Sequence, residues 1–228
     1  ANSNPMKYCF LLCFSVLFSI SSRTQTTSNW SVIPQPNVIS RTSGTFSLAN
    51  GLLISYSDTT LSQTNFFFEQ RFTALGIDGL GLVRGNIELV RDPDSDLGRE
   101  GYRLTITPNK ITLSAAETPG FFYGLMTLYQ QILMTKSASI PCGTLTDAPR
   151  FGYRGFMLDE SRHFFGKEKV KQLIDMMALF KLNTFHWHLT DSNGWRIAIS
   201  SYPELGPVGG IGNASNPEAP AKYYSQAD

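Results

Sequence analysis

Two stretches of sequence decide the fold class: Tyr153-Arg-Gly-Phe-Met-Leu-Asp-Glu-Ser-Arg-His-Phe-Phe165 and Phe185-His-Trp-His-Leu-Thr-Asp-Ser-Asn-Gly-Trp-Arg196. Each reads as a short strand that ends in a cluster of charged and aromatic residues. Residues 167–181 lie between them and have helical spacing, with five inward positions: Val170, Leu173, Ile174, Met177 and Ala178. A β-α-β unit of this length predicts parallel strands, and polar residues at strand ends are typical of the opening of a (β/α)8 barrel.

The strand at residues 153–159 is largely apolar, as expected for a strand that is buried on both faces. Residues from 203 onward are rich in Gly, Pro and Asn, which predicts a long loop leading into a second helix that is cut off. The chain ends soon after this loop, so we expect only the first part of a barrel in residues 149–228.

Residues 24–148 predict a small α+β domain. Residues 102–107 alternate polar and apolar side chains, so Tyr102, Leu104 and Ile106 share one face of a strand, and residues 111–114 return as a second strand. Residues 120–133 form a helix with a wide apolar face, and Gly124 would let this helix approach the sheet closely. The predicted fold class is therefore α/β: this α+β domain, followed by the first β-α-β part of a truncated TIM barrel.

The sequence also predicts a helix, a linker and the environment of a cysteine in the first domain. Residues 65–75 predict a helix that buries Phe68, Phe72 and Leu75. Residues 144–150 read as a linker between the two domains. Cys142 lies in a turn-like connector, where a structural thiol is a better interpretation than a nucleophile.

Residues 1–23 are interpreted as upstream sequence and a secretory signal peptide. Met6 and Lys7 precede an apolar run over residues 8–20 that is too short to span a bilayer comfortably, and a polar exit follows. A retained N-terminal anchor is the alternative. Cleavage predicts an exported protein without a membrane span, located in the periplasm, at the cell surface or outside the cell, or in lysosomes if the source is eukaryotic. Cys142 would then be its only cysteine, which leaves no internal disulfide.

The charge distribution argues against nucleic acid as a partner. The formal net charge is +1, with acidic and basic residues interspersed along the chain, so the sequence predicts no basic face. We predict no cofactor, and the sequence does not determine an oligomeric state.

Arg162 and its acidic neighbours are the first candidates for chemistry. Arg162 follows the end of the first barrel strand, and its guanidinium suits two neighbouring sugar hydroxyls or a carboxylate; a salt bridge to Asp159 or Glu160 is the alternative. The adjacent pair Asp159-Glu160 suggests the two carboxyl groups of glycoside hydrolysis. However, neighbours on an extended strand point to opposite sides, so Glu160 need not share a pocket with Asp159.

The second strand offers a histidine pair and another acid. His186 and His188 face one side of the strand, and Trp187 faces the other. They could be metal ligands with Asp191, but hydrogen-bonded histidines within the barrel fit better, so we predict no metal site. Asp191 is a candidate acid or base, a support for another acid, or a cap. Gly194-Trp195-Arg196 supplies an aromatic wall or a packed loop. Other possible pocket residues are Asp159, His163, His188 and Trp195.

These two barrel stretches closely resemble the first two barrel strands of the family 20 glycoside hydrolases, the β-N-acetylhexosaminidases. The upstream stretches Glu100-Gly-Tyr-Arg-Leu-Thr-Ile-Thr107 and Gly120-Phe-Phe-Tyr-Gly-Leu-Met-Thr-Leu128 look like parts of the small domain that precedes the barrel in that family. The resemblance covers most of residues 30–228, and the barrel motifs are long enough to be specific.

The resemblance implies a retaining, substrate-assisted hydrolysis of terminal N-acetylglucosamine or N-acetylgalactosamine from glycans. In the family, an Asp-Glu pair on a later strand performs the chemistry, and it has no counterpart in these residues. By motif position, Arg162 looks like the arginine that grips the outer hydroxyls of the sugar. Asp191 looks like the acid that supports the catalytic Glu.

Two departures from the family pattern could alter the site. Glu160 stands where the family often has a small or apolar residue, and Ser192-Asn193 replaces a usual Asp-Gln. The first could change the rim of the pocket, and the second could loosen the surroundings of Asp191. Because the Asp-Glu pair is missing, we expect residues 24–228 alone to be inactive. The alternatives are a catalytically inactive glycan-binding protein, or another carbohydrate-active barrel enzyme with a similar leading domain.

Overall fold

The computed structural model describes residues 30–78, 84–135 and 137–228, so the predicted signal peptide lies outside the described residues. A six-stranded sheet forms the first part of the chain. Its strands are β1 (Val38–Ser47), β2 (Ile54–Ser55), β3 (Ile87–Arg91), β4 (Tyr102–Ile106), β5 (Ile111–Ala115) and β6 (Ser139–Asp147). The spatial order is β1-β6-β4-β5-β3-β2, with antiparallel pairs from β1 to β5 and parallel pairs from β5 to β2.

Two helices pack with this sheet, α1 (Ser62–Ala74) and α2 (Thr118–Met134). The period-two prediction for β4 is confirmed, because Tyr102, Leu104 and Ile106 are all buried. Gly124 lies against the sheet as expected: a Cβ atom there would come within 2.9 Å of Leu113 Cδ2. A side chain at this position of α2 would therefore displace the core.

Three expectations for this region are corrected. Leu75 is exposed rather than buried, because it lies beyond the last turn of α1. Strand β6 continues to Asp147, so the first residues of the expected linker pair with β1 and β4 instead. Cys142 is a buried residue within β6, not part of a connector, and burial raises the pKa of its thiol. The interpretation of Cys142 as a structural thiol fits this position.

The second part of the chain begins with β7 (Gly155–Asp159), α3 (Lys167–Leu179) and β8 (Thr184–His188). The strands β7 and β8 pair in parallel, from Gly155 opposite Thr184 to Asp159 opposite His188. This confirms the predicted β-α-β unit and the mixed α/β fold class. The continuation into a closed barrel and the domain bounds at residues 24–148 and 149–228 stay predictions.

Burial in the β-α-β unit differs from the sequence-based expectation. In β7 only Leu158 is buried, whereas Phe156 and Met157 are exposed. The reason is that β8 is the one strand that pairs with β7 among the described residues. Ile174 of α3 is likewise exposed, although Val170 and Met177 are buried as predicted. Amphipathic spacing identified the helix but overestimated the width of its covered face.

A short hairpin and a long loop follow β8. The hairpin consists of β9 (Thr190–Asp191) and β10 (Gly194–Trp195), and a 3-10 turn spans Pro203–Leu205. The residues after Leu205 form a long loop, as predicted. This loop returns to the segment after the hairpin, where Tyr224 and Ile197 form a parallel bridge. Within the described part of the chain, no helix has the length and apolar character needed to cross a membrane.

Candidate active site

The carboxyl ends of β7 and β8 bring the main candidate residues together. Asp159 and His188 are the last residues of their strands and lie opposite each other in the parallel register. Asp191 follows in the β9–β10 hairpin, and Arg162 lies in the loop after β7. Parallel strands place their carboxyl ends at one edge of a sheet, which is where barrel sites are built. We call Asp159, Arg162, His188 and Asp191 the strand-end cluster.

Arg162 lies between the two carboxylates of the cluster. Its guanidinium forms an ion pair with Asp159, and its Nη2 atom is 3.5 Å from Asp191 Oδ2. The backbone amide of Arg162 also donates to Asp159 Oδ1 at 2.9 Å. The salt bridge that was an alternative to sugar binding is therefore present. It leaves the guanidinium accessible, because half of the Arg162 side chain, 51%, is exposed.

The charges of the cluster favour the ionised forms of both partners. The hydrogen bond and the charge of Asp159 raise the pKa of Arg162. Burial opposes ionisation of Asp159, but hydrogen bonds from the amide and guanidinium of Arg162 outweigh it and lower the pKa of this carboxyl. Asp159 therefore fixes Arg162 as a charged donor at the strand ends.

His188 lies between the two acids of the cluster. Its Nδ1 atom is 4.0 Å from Asp159 Oδ2, and its Nε2 atom is 3.6 Å from Asp191 Oδ2 and 3.2 Å from the carbonyl of Thr190. The ring centroids of His186 and His188 are 6.2 Å apart. Among the described residues, no three His, Cys, Asp or Glu side chains are arranged to hold a metal ion. That the protein uses no metal stays a prediction.

Asp191 has two sets of contacts. Its Oδ1 atom accepts a hydrogen bond of 2.7 Å from the amide of Ser192, as in a turn cap, while Oδ2 faces Arg162 and His188. The two contacts direct the carboxylate towards Arg162. The turn at Ser192 thus supports the orientation of Asp191 despite the departure from the usual Asp-Gln.

Glu160 points away from the strand-end cluster, as its position next to Asp159 on a strand predicts. Its side chain is fully buried. Its Oε1 atom accepts from the Tyr224 hydroxyl, and its Oε2 atom accepts from the amide of Phe165, both at 2.7 Å. Asp159 and Glu160 therefore do not form a shared pocket with two carboxyl groups.

His163 and Trp195 lie near the cluster in sequence but make other contacts. The Nε2 atom of His163 is 3.0 Å from Ser215 Oγ, in the loop after Pro203. The indole of Trp195 donates to the carbonyl of Ile197 at 2.6 Å. The described residues show no hydrogen bond between these two side chains and the cluster, so their place in a pocket stays a prediction.

Arg196 is an important residue that sequence reasoning left as part of an aromatic wall or a packed loop. Its guanidinium is buried and donates to five backbone carbonyls, those of Glu160, Ser161, Gly210, Gly212 and Lys222, at 2.6–3.1 Å. Burial lowers its pKa. These contacts join the loop after β7 to the long C-terminal loop. The sequence signal is slight, since only its place directly after Gly194-Trp195 sets this arginine apart.

Comparison with known proteins supports the resemblance. The catalytic-domain model of glycosyl hydrolase family 20 matches residues 151–228, and the model of domain 2 of the same family matches residues 29–148. A β-hexosaminidase of Vibrio furnissii is 38% identical over 180 residues, which is 78% of this chain and 29% of that protein. An N,N'-diacetylchitobiase of Vibrio harveyi is 32% identical over 78% of this chain and 20% of its own length. The chain thus spans less than a third of these relatives.

Solved structures show the same relationship. An inactive mutant of the family 20 exo-β-N-acetylglucosaminidase of Vibrio harveyi has a TM-score of 0.77 and 30% identity, covering 86% of this chain and 32% of that chain. The N-acetyl-β-hexosaminidase of Streptomyces plicatus, in complex with Thio-NAglucal, has a TM-score of 0.75 and 31% identity, covering 89% and 42%. With models of two domains matching consecutive parts of its sequence, the chain belongs to glycosyl hydrolase family 20.

Proposed function

We propose that the complete gene product hydrolyses terminal N-acetylhexosamine residues from glycans. The family membership supports glycoside hydrolysis, and the relatives named above are hexosaminidases and a chitobiase. The observation that carries the proposal is the strand-end cluster. There an accessible arginine is held by two carboxylates at the edge where barrel enzymes bind their substrates.

Arg162 is the proposed sugar-binding residue. Its guanidinium has five N–H donors, and the contacts with Asp159 and Asp191 leave donors free on the exposed side. Neighbouring hydroxyls on a sugar ring are spaced to accept from two N–H groups of one guanidinium. The two acids fix the direction of these donors before the substrate arrives, which reduces the entropy lost on binding.

The proposed mechanism is retaining and substrate-assisted. The 2-acetamido oxygen of the sugar attacks the anomeric carbon while the glycosidic bond breaks, and an acid protonates the departing oxygen. Water then opens the cyclic intermediate, so the configuration at the anomeric carbon is retained. Asp159 and Glu160 are unsuited to the acid role, because one is ion-paired with Arg162 and the other is buried. The resemblance assigns that role to an Asp-Glu pair on a later strand, with Asp191 in a supporting position.

A chromogenic N-acetyl-β-glucosaminide tests the proposal with the complete gene product. We expect release of the chromophore, and we expect Arg162→Ala to raise KM by about tenfold to a hundredfold through loss of charged hydrogen bonds. The matched control is Arg41→Ala, which removes an exposed arginine on β1 and should leave KM unchanged. A wild-type protein that binds the sugar without releasing chromophore would favour the glycan-binding alternative. Equal KM values for wild type and Arg162→Ala would contradict the role of Arg162.

Export is a separate proposal. We infer from residues 6–23 that the protein is translocated and cleaved near residue 23, since a basic start, a short apolar run and a polar exit are features of signal peptides. N-terminal sequencing of the protein recovered outside the cytoplasm tests this. Recovery of the intact apolar run would support the retained anchor instead.

A further inference from the structure

Glu160 is a buried carboxylate for which the proposed reaction has no direct use. It is fully buried directly after the last residue of β7, and its carboxylate has other partners than that of Asp159. Its two oxygen atoms have different partners, the Tyr224 hydroxyl at Oε1 and the Phe165 amide at Oε2. A buried carboxylate is costly unless hydrogen bonds compensate for lost hydration, so such a residue requires an explanation.

We propose that Glu160 is a positioning residue that sets the direction of the Arg162 guanidinium at the sugar site. The proposal rests on the proposed function, because it concerns the same arginine. Glu160 itself does not touch the substrate. It acts by fixing the backbone on both sides of Arg162, through the two hydrogen bonds of its carboxylate.

The first hydrogen bond closes the loop that carries Arg162. The amides of Glu160 and Ser161 donate to the carbonyl of His188 at 3.0 and 3.3 Å, which fixes the start of the loop to β8. The amide of Phe165 donates to the side chain of Glu160, which fixes the end of the loop. Arg162 lies between these two points. The carboxylate therefore determines the shape of the loop on which the guanidinium is mounted.

The second hydrogen bond fixes the C-terminal loop, which contacts the backbone of Arg162. The amide of Ala214 donates to the carbonyl of Arg162 at 2.9 Å, so the C-terminal loop touches the backbone of the sugar-binding residue. The far end of this loop is held by Tyr224, whose hydroxyl donates to Glu160. The Tyr224 ring also packs against Phe164 and Trp187, with centroids 4.7 and 4.8 Å away. One carboxylate thus joins both segments that contact Arg162.

The charges around Glu160 keep these hydrogen bonds in place. Burial, together with the hydrogen bond to Glu160, raises the pKa of Tyr224, so this hydroxyl remains protonated and remains a donor. The Arg196 guanidinium lies alongside and donates to the backbone carbonyl of Glu160 at 3.0 Å. The family often has a small or apolar residue at this position. A side chain without a carboxylate cannot accept from both donors.

Three variants of the complete gene product separate the two hydrogen bonds. Glu160→Ala removes both acceptors, and Tyr224→Phe removes only the bond to the C-terminal loop. Glu160→Gln keeps the shape but has a single acceptor oxygen, so one of the two donors would face an amide NH2 group. The controls are Glu168→Gln and Tyr202→Phe, two exposed residues away from the cluster. KM and kcat are measured for a chromogenic N-acetyl-β-glucosaminide at a temperature at which thermal unfolding shows every assayed variant to be folded.

We expect Glu160→Ala to raise KM by about tenfold to a hundredfold, the cost of a misplaced binding group, with smaller increases for Glu160→Gln and Tyr224→Phe. The effect should vanish in an Arg162→Ala background, because residues that act through one group are not additive. A structural role alone would lower thermal stability and leave KM unchanged. If Glu160→Ala fails to fold, the Gln and Phe variants carry the same test.

The outcomes distinguish the two claims. Two results would overturn the inference and leave the proposed function intact, provided that the wild type turns over the glycoside. One is an unchanged KM in the Glu160 and Tyr224 variants. The other is an increase in KM that is equally large in the wild-type and Arg162→Ala backgrounds. A wild-type protein that neither binds nor hydrolyses the glycoside would overturn the proposed function, and the role of Glu160 at a sugar site with it.

Discussion

The position of the Arg162 guanidinium is set by the side chains that surround it. Asp159, Asp191 and His188 each come from a different position in the chain, and the ends of two parallel strands bring them together. Their side chains are partly exposed, so water weakens each individual ion pair. The main effect of the cluster is therefore to orient Arg162. It presents a charged donor in a fixed direction and contributes little to folding.

The lowered pKa of Asp159 predicts how stability depends on pH. A carboxyl whose pKa is lower in the folded than in the unfolded protein stabilises the fold above its ordinary pKa of 3.8, and this contribution disappears as the pH falls through the folded value. The free energy of unfolding of wild type should therefore exceed that of Asp159→Asn by a constant amount at neutral pH. The difference should shrink below pH 3.8. Chemical denaturation across the pH range measures it, and a difference that persists in strong acid would contradict the assignment.

Arg196 makes a different kind of contribution, because its side chain is buried and four of its five hydrogen bonds to backbone carbonyls are buried as well. Arg196→Met would remove the guanidinium from five backbone carbonyls, of which Gly210 keeps a hydrogen bond from the Lys222 amide. We expect a loss of about 3 kcal/mol or more in the free energy of unfolding. Arg41→Met, at an exposed site, is the control and should change little. Urea denaturation of both variants checks this. Similar stability of the two would mean that water replaces the guanidinium.

The sequence predicts the separate surroundings of Asp159 and Glu160 but does not predict the contacts of Arg196. The opposite directions of Asp159 and Glu160 follow from the geometry of a strand, and the structure confirms them. The role of Arg196 was missed, because its partners are backbone carbonyls. Those carbonyls are as far apart as Glu160 and Lys222, and only the path of the loops brings them to one point. The pattern of side chains along the sequence does not predict where backbone carbonyls come together.

Helix α2 packs closely on strands β4 and β5. Phe121, Leu125 and Leu128 are fully buried on the face that covers the sheet. The absence of a side chain at Gly124 lets the helix approach Leu113 and Tyr102. Close approach of this kind requires glycine in a helix, where it otherwise costs about 1 kcal/mol in propensity.

Gly124→Ala should therefore destabilise the protein, although alanine is the better helix former. The new methyl group would overlap Leu113, whose side chain is itself fully buried, so we expect a loss of about 1–3 kcal/mol. Gly152→Ala is the matched control, because nothing lies within 4 Å of a Cβ atom at that position. Thermal or urea unfolding gives the comparison. A more stable Gly124→Ala variant would show that the core yields more easily than its burial suggests.

The periodic patterns predicted where elements lie better than which of their faces are covered. Spacing identified α2, α3 and the strand pairs, because side-chain period is a local property. Phe156, Met157 and Ile174 were expected inside and are exposed. Their environment depends on neighbouring strands and helices, which a local pattern does not specify. The same limit applies to Cys142, whose Pro and Gly neighbours suggest a turn although it pairs within β6.

At the scale of the whole molecule, buried polar contacts join the sheet to the β-α-β unit. Lys181 follows α3, and its Nζ atom donates to the Tyr102 hydroxyl at 2.8 Å and to Asp147 at 3.1 Å. Arg154 pairs with Glu100 at 2.8 Å across the same junction. Burial lowers the pKa of Lys181, and the charge of Asp147 opposes this effect. The two parts of the chain are therefore coupled by charges that water reaches only in part.

Lys181→Met should weaken this junction. Removing one partner of a buried ion pair leaves the other uncompensated, and we expect a loss of about 3 kcal/mol in the free energy of unfolding. Lys169→Met, at an exposed position of α3, serves as the control. Calorimetry of the complete gene product should show a lower melting temperature for the first variant and an unchanged one for the second. Equal melting temperatures would indicate that Lys181 does not couple the two parts.

The central claim is that the strand-end cluster binds an N-acetylhexosamine through Arg162. A crystal structure of the complete gene product with bound N-acetylglucosamine tests it most directly. We predict that the sugar lies at the carboxyl ends of β7 and β8, with its outer hydroxyls within hydrogen-bond distance of the Arg162 guanidinium, while Asp159 keeps its ion pair. A sugar bound elsewhere, with Arg162 still facing only Asp159 and Asp191, would contradict the claim.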